Sequence, residues 1–176
     1  MRRPAHSSPS PRPPISPSRP SSFLWRYGSL IAWTCFVLFA STASFSASNT
    51  SLVIRPLLLW LFPGITDAKI DEVHFFVRKT AHFTEYAILA LLSARAFSTS
   101  SKDQLRRRWF FISLALIVLY ALADEYHQSF VPSRTSSIYD SLIDMSGGLT
   151  MLCLYALWRW RKAKKMKSAR LEIRTR

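Results

Sequence analysis

Cysteine is scarce: only Cys35 and Cys153 occur in 176 residues. Both sit in apolar stretches, where a cysteine behaves as a small hydrophobe, so no disulfide framework organises this chain and no zinc-binding spacing is present. After the first twenty residues proline falls to Pro56, Pro63 and Pro132. There is no HExxH string, no recognised nucleophile motif and no internal repeat, so neither zincin-type hydrolysis nor a repeat-built transporter has sequence support. Acids are also few, 10 against 24 Lys and Arg, for a formal net charge of +14. No nucleic-acid-reading motif accompanies that charge, and nucleic acid is not assigned as a partner.

What is abundant is apolar. Hydrophobic residues make up 49% of the chain and aromatics 14%. They separate from the charge, collecting in stretches near the length needed to cross a bilayer while Lys and Arg lie mostly outside them. The expected class is therefore an all-α integral membrane bundle of about four transmembrane helices, with a short interfacial helix and a disordered N-terminal tail.

Residues 1–26 carry the tail: MRRPAHSSPSPRPPISPSRP, rich in Pro, Ser and Arg, cannot bury enough surface to fold. The first span is expected over 27–47. Its basic start, apolar run and small residues between Ala43 and Ala47 fit a cleavage site as well as an anchor, and the further spans that follow favour the anchor. Leu52 to Phe62, interrupted by Arg55 and Pro56 and closed by Pro63 and Gly64, is too short to cross and reads as interfacial. Thr66 or Asp67 caps the next helix, whose early turns are charged before an apolar crossing over 80–97. Further spans are expected over 109–130 and 138–158, the last ending at Trp158 and Trp160 where interfacial aromatics settle. Residues 159–176 form a basic cytoplasmic tail.

Orientation follows from the basic segments, because Lys and Arg near span ends are retained in the cytoplasm. The N-terminal tail, the loop holding Arg106, Arg107 and Arg108, and the C-terminal tail are strongly basic. The expected location is the inner (cytoplasmic) membrane, multi-pass, with both termini cytoplasmic.

Ionisable residues within spans are costly and carry a functional hypothesis by default. Here they form a set at the extracytoplasmic side: His82 and Glu85 on the second span, Asp124, Glu125, His127 and Gln128 on the third, Asp140 and Asp144 on the fourth. Spacings of three or four place His82 with Glu85, Asp124 with Gln128, and Asp140 with Asp144 on common helix faces. Gly147 and Gly148 continue the Asp144 face and would let another helix approach closely. Arg134, in the short outer loop SRTSS, is the nearest cation to these acids.

The strings VRKTAHFTEYAILALL, ADEYHQSFVPSRTSSIYD and DMSGG resemble the VanZ-like family of bacterial membrane proteins, named for a teicoplanin-resistance protein. The matching positions are Lys79, His82, Phe83, Glu85, Tyr86, Asp124, Glu125, Gln128, Pro132, Arg134 and Asp140. One position departs: Asp144 stands where family members often carry asparagine. The resemblance implies a multi-span cell-envelope protein whose prototype is associated with lowered teicoplanin susceptibility; it implies no established reaction.

Two functions from different classes meet these residues. One is a non-catalytic role in the envelope, in which the polar cluster of Lys79, His82, Glu85, Asp124, Glu125, Gln128, Arg134, Asp140 and Asp144 holds the bundle together or receives a lipid-linked envelope precursor. The other is a membrane-embedded enzyme acting on such a precursor or a lipid head group, with His82, Glu85, Asp124 and Glu125 as acid or base groups and Arg134 binding phosphate or carboxylate. A metal variant would draw on His82, Glu85, Asp124 and His127. The spacing of that set is weak, and neither a metal nor a cofactor is assigned. The lipid bilayer is the expected partner of such a chain.

Overall fold

A computed structural model describes residues 22–42, 47–130 and 138–174. These form six helices and no strand: α1 (Ser22–Ala40), α2 (Ala47–Leu61), α3 (Asp67–Ser98), α4 (Asp103–Arg107), α5 (Trp109–Gln128) and α6 (Ile138–Arg174). The chain is an all-α membrane protein. Three helices are long and apolar enough to cross a bilayer: Phe23–Ala40, Trp109–Gln128 and the stretch Ile138–Leu171 of α6. Only 17%, 28% and 28% of those windows are buried, respectively, so their apolar side chains need lipid to cover them. Exposed Ile31, Leu38, Phe111, Leu119, Leu149 and Leu154 belong to that lipid-facing surface.

The segment expected to be a further crossing, 80–97, is the C-terminal half of α3. His82, Glu85 and Arg95 dilute its hydropathy, and it occupies the middle of the bundle, packed against α6, α5 and α1. Its inward face carries Tyr86, Leu89, Ala90, Ser93 and Ala94, all buried. The small residues in that row let neighbouring helices come close, the packing mode available when lipid removes the hydrophobic drive between spans. Ile117 and Ala121 of α5, Leu152 of α6 and Leu30 and Val37 of α1 complete the core.

Several boundaries differ from expectation. Helix α1 begins at Ser22 and ends at Ala40, earlier at both ends than 27–47. Residues 22–26 are thus helical instead of belonging to the tail, since Phe23, Leu24 and Trp25 extend the apolar run. Helix α2 continues through Arg55 and Pro56, the proline forfeiting one backbone hydrogen bond, and stops at Leu61 before Pro63. At 15 residues it is too short to cross, as an interfacial helix should be. Thr66 is the extended N-cap of α3. The basic segment after Trp158 is helical to Arg174, because Lys, Arg, Ala and Met are good helix formers. Helix α6 has 37 residues, roughly 55 Å at 1.5 Å per residue, so its basic part must leave a slab about 30 Å thick. The proposed disordered tail up to Ser21 lies outside the described residues.

Contacts fix the helix directions. Tyr27 donates to Ser100 Oγ at 3.0 Å, and Trp109 stacks edge-on against Tyr155, so the start of α1, the end of α3 and the start of α5 share one end of the bundle. Ser41 meets His127, Lys79 meets Asp140 and His82 meets Asp144 at the other. Helices α1 and α5 therefore run one way, and α3 and α6 the other.

Candidate functional site

The polar end of the bundle is built from the last turn of α5, the first two turns of α6 and the middle of α3. Lys79 and His82 on α3 point at Asp140 and Asp144 on α6. Because α3 and α6 run in the same direction and both pairs are about one turn apart, the two contacts stack as successive rungs. The Lys79 ammonium forms an ion pair with the Asp140 carboxylate, whose side chain is 8% exposed. His82 Nδ1 lies 3.2 Å from Asp144 Oδ1, and Asp144 is completely buried.

The third helix adds a carboxylate. Asp124 is 7% exposed, and its Oδ2 accepts a hydrogen bond of 2.8 Å from Gln128 Nε2, one turn further along α5. Ser141 of α6 donates to the carbonyl of Ala121 at 3.2 Å, tying α6 to α5 beside this carboxylate. One ligand atom each from His82, Asp124 and Asp144 lies within 4.8 Å of the others. Among the described residues, Asp124 Oδ1 and Asp144 Oδ2 have no hydrogen-bond partner, and neither does the hydroxyl of Tyr86.

A cavity of about 90 Å³ opens beside the cluster, lined by Val37, Ala40 and Ser41 of α1, Thr50 of α2, Arg78, Ala81, His82 and Glu85 of α3, and Asp124 of α5. The lining mixes apolar Val37, Ala40 and Ala81 with residues that carry a guanidinium, an imidazole and two carboxylates. The indole of Trp33 donates to the Glu85 carbonyl at 3.0 Å and holds α1 against this part of α3. Thr50 Oγ1 sits 2.9 Å from His74 Nε2 and brings α2 to the cavity rim.

The profile of the VanZ/LLP1 family matches residues 26–159, from the second turn of α1 to the point where α6 turns basic. The chain belongs to the VanZ/LLP1 family. Neither a curated protein nor a solved structure matches it. The matched VanZ/LLP1 region contains every residue of the polar end described above.

Within this VanZ/LLP1 domain the helix-face pairings expected from spacing recur in the contacts. Gln128 bonds Asp124, Asp140 and Asp144 both face α3, and His82 and Glu85 both line the cavity. Glu125 is buried on α5 but, one residue from Asp124, points about 100° around the helix from it. Arg134 and Pro132 lie outside the described residues. The metal variant drawn from His82, Glu85, Asp124 and His127 needs correction: the grouped ligands are His82, Asp124 and Asp144. His127 turns to Ser41 of α1, with Nδ1 3.2 Å from its Oγ, instead of joining Asp124 and His82.

Ser41, Thr50 and Arg78 were not legible as site residues. Arg78 had one signal: it precedes His82 by four and Glu85 by seven residues, the repeat of a single helix face. Ser41 and Thr50 had none, since they lie near the ends of helices whose approach to α3 is a tertiary matter.

Proposed function

We propose that this VanZ-like protein works in the cell envelope as a multi-pass protein of the cytoplasmic (inner) membrane, and that its polar cavity receives the head group of a lipid-linked envelope precursor from the outer side. The observation that carries the reading is the cavity lined by Arg78, His82, Glu85 and Asp124 together with apolar Val37, Ala40 and Ala81. A charged head group attached to a hydrocarbon chain combines the same two kinds of surface, and Arg78 offers the forked donor that suits phosphate or carboxylate. The loop holding Arg106, Arg107 and Arg108 follows the opposite end of α3, and retention of that loop in the cytoplasm puts the cavity outside and both termini inside.

The resemblance to a family whose prototype is associated with teicoplanin resistance supplies the test. Susceptibility to teicoplanin and to vancomycin is compared in a host carrying the wild type, the Asp124→Ala variant or an empty vector. A loss of susceptibility confined to teicoplanin and abolished by Asp124→Ala supports the envelope reading. Identical susceptibilities in all three strains count against it.

A second reading makes the same cavity an active site for an envelope precursor or lipid head group. It is favoured by His82, which lines the cavity while standing 3.2 Å from the buried Asp144 carboxylate. An imidazole backed by a carboxylate is a general acid–base arrangement. Turnover of a radiolabelled lipid-linked precursor by purified protein, lost in His82→Gln, separates this reading from binding alone.

A further inference from the structure

We propose that His82, Asp124 and Asp144 form a binding site for one divalent transition-metal cation, zinc or manganese, on the cavity wall. The inference concerns the cavity of the preceding reading but stands on ligand geometry; only the use of the ion to hold a head group rests on that reading.

Three observations converge. The first is position: the three residues come from α3, α5 and α6, and one ligand atom from each falls within 4.8 Å of the others. A tetrahedral zinc ion with bonds of about 2.0–2.2 Å spaces its ligand atoms roughly 3.3–3.6 Å apart. The 3.2 Å between His82 Nδ1 and Asp144 Oδ1 is close to such an edge already, which leaves a side-chain rotation of Asp124 to complete the set.

The second is the unmet demand of the carboxylates. Asp124 and Asp144 are 7% and 0% exposed, and each keeps one oxygen without a hydrogen-bond partner among the described residues. Two buried carboxylates held this close repel one another. The Lys79 ammonium is engaged by Asp140. A divalent cation cancels both charges at once, and a neutral imidazole adds a third ligand.

The third is the chemistry and support of the donors. An imidazole with two carboxylates and no thiol suits zinc or manganese, while the imidazole disfavours magnesium and calcium, which take oxygen. Gln128 holds the second oxygen of Asp124 at 2.8 Å, the outer-shell bond that orients a ligating carboxylate. Because His82 and Asp124 also line the cavity, the position not filled by protein faces it, where a water or a head-group oxygen completes the coordination.

The test uses the full chain purified in detergent, stripped with EDTA and dialysed against zinc or manganese alone. Bound metal is measured by mass spectrometry, and cobalt substitution reports the ligand field by absorption. The expected result is about one ion per wild-type chain, an affinity at least ~10-fold weaker in Asp144→Asn and in His82→Gln, and unchanged affinity in Asp103→Asn, which alters an exposed carboxylate on α4. Wild-type protein that binds no zinc or manganese beyond the Asp144→Asn level overturns the proposal. So does binding of calcium or magnesium alone, or an equal loss in Asp103→Asn. If a variant fails to fold, the wild-type stoichiometry and cobalt spectrum still decide. A teicoplanin phenotype without a bound ion refutes the metal and spares the head-group reading, and a bound ion without the phenotype does the reverse.

Discussion

Gly147 on α6 lies against the backbone of Phe83 on α3: a methyl group placed there would meet the Phe83 carbonyl carbon at 2.9 Å and its Cα at 3.0 Å. Backbone cannot step aside as a side chain can. Helix α6 owes its closeness to α3, and with it the Lys79–Asp140 and His82–Asp144 contacts, to the missing side chain. On the neighbouring position, a Cβ at Gly148 would meet Ile117 Cγ2 of α5 at 2.7 Å.

Gly147→Ala is therefore expected to destabilise the bundle. Alanine improves helix propensity by about 1 kcal/mol, but overpacking against backbone costs about 1–3 kcal/mol and pushes α6 away from α3. Gly148→Ala should cost less, because Ile117 can change rotamer. Thermal unfolding of the purified proteins in one detergent checks the order; a Gly147→Ala protein as stable as wild type would show that the helices do not approach so closely.

Lys79→Ala leaves the Asp140 carboxylate, 8% exposed in its side chain, without its cation. Removing one partner of a buried pair costs about 3–5 kcal/mol, and the partial exposure of Lys79 places this one at the low end. Asp140→Asn in the same chain should recover much of the loss, since position 140 then carries no charge that lacks a partner. A double-mutant cycle on thermal stability measures the coupling, and additive losses would mean that the two side chains do not interact.

Asp124→Ala removes the acceptor of the Gln128 amide, which is 1% exposed, and leaves that donor buried without it. The expected loss is about 1–3 kcal/mol. Lys165→Ala, on the exposed basic end of α6, should change stability by no more than about 0.5 kcal/mol. Unfolding midpoints that shift equally in both variants would contradict the placement of Asp124 in a buried network.

The sequence by itself determined the membrane class, the helical class and the identity of the polar residues. Apolar runs of bilayer length and basic segments between them are one-dimensional patterns, and so is the four-residue step that puts Asp140 and Asp144 on one face. Even the closeness permitted by Gly147 could be read from the small residues that follow Asp144.

Only the tertiary structure decided which faces meet. Spacing could place His82 with Glu85, yet the carboxylate nearest the imidazole belongs to Asp144 on another helix, because α3 and α6 pack in parallel with Gly147 seated on Phe83. Likewise it joined Ser41, Thr50 and Arg78 in one cavity and sent His127 to Ser41 instead of to the cluster. The physical reason is that a helix specifies the direction of its side chains around its own axis, whereas the rotation and depth of each helix relative to its neighbours come from interhelical packing, which no single stretch of sequence contains.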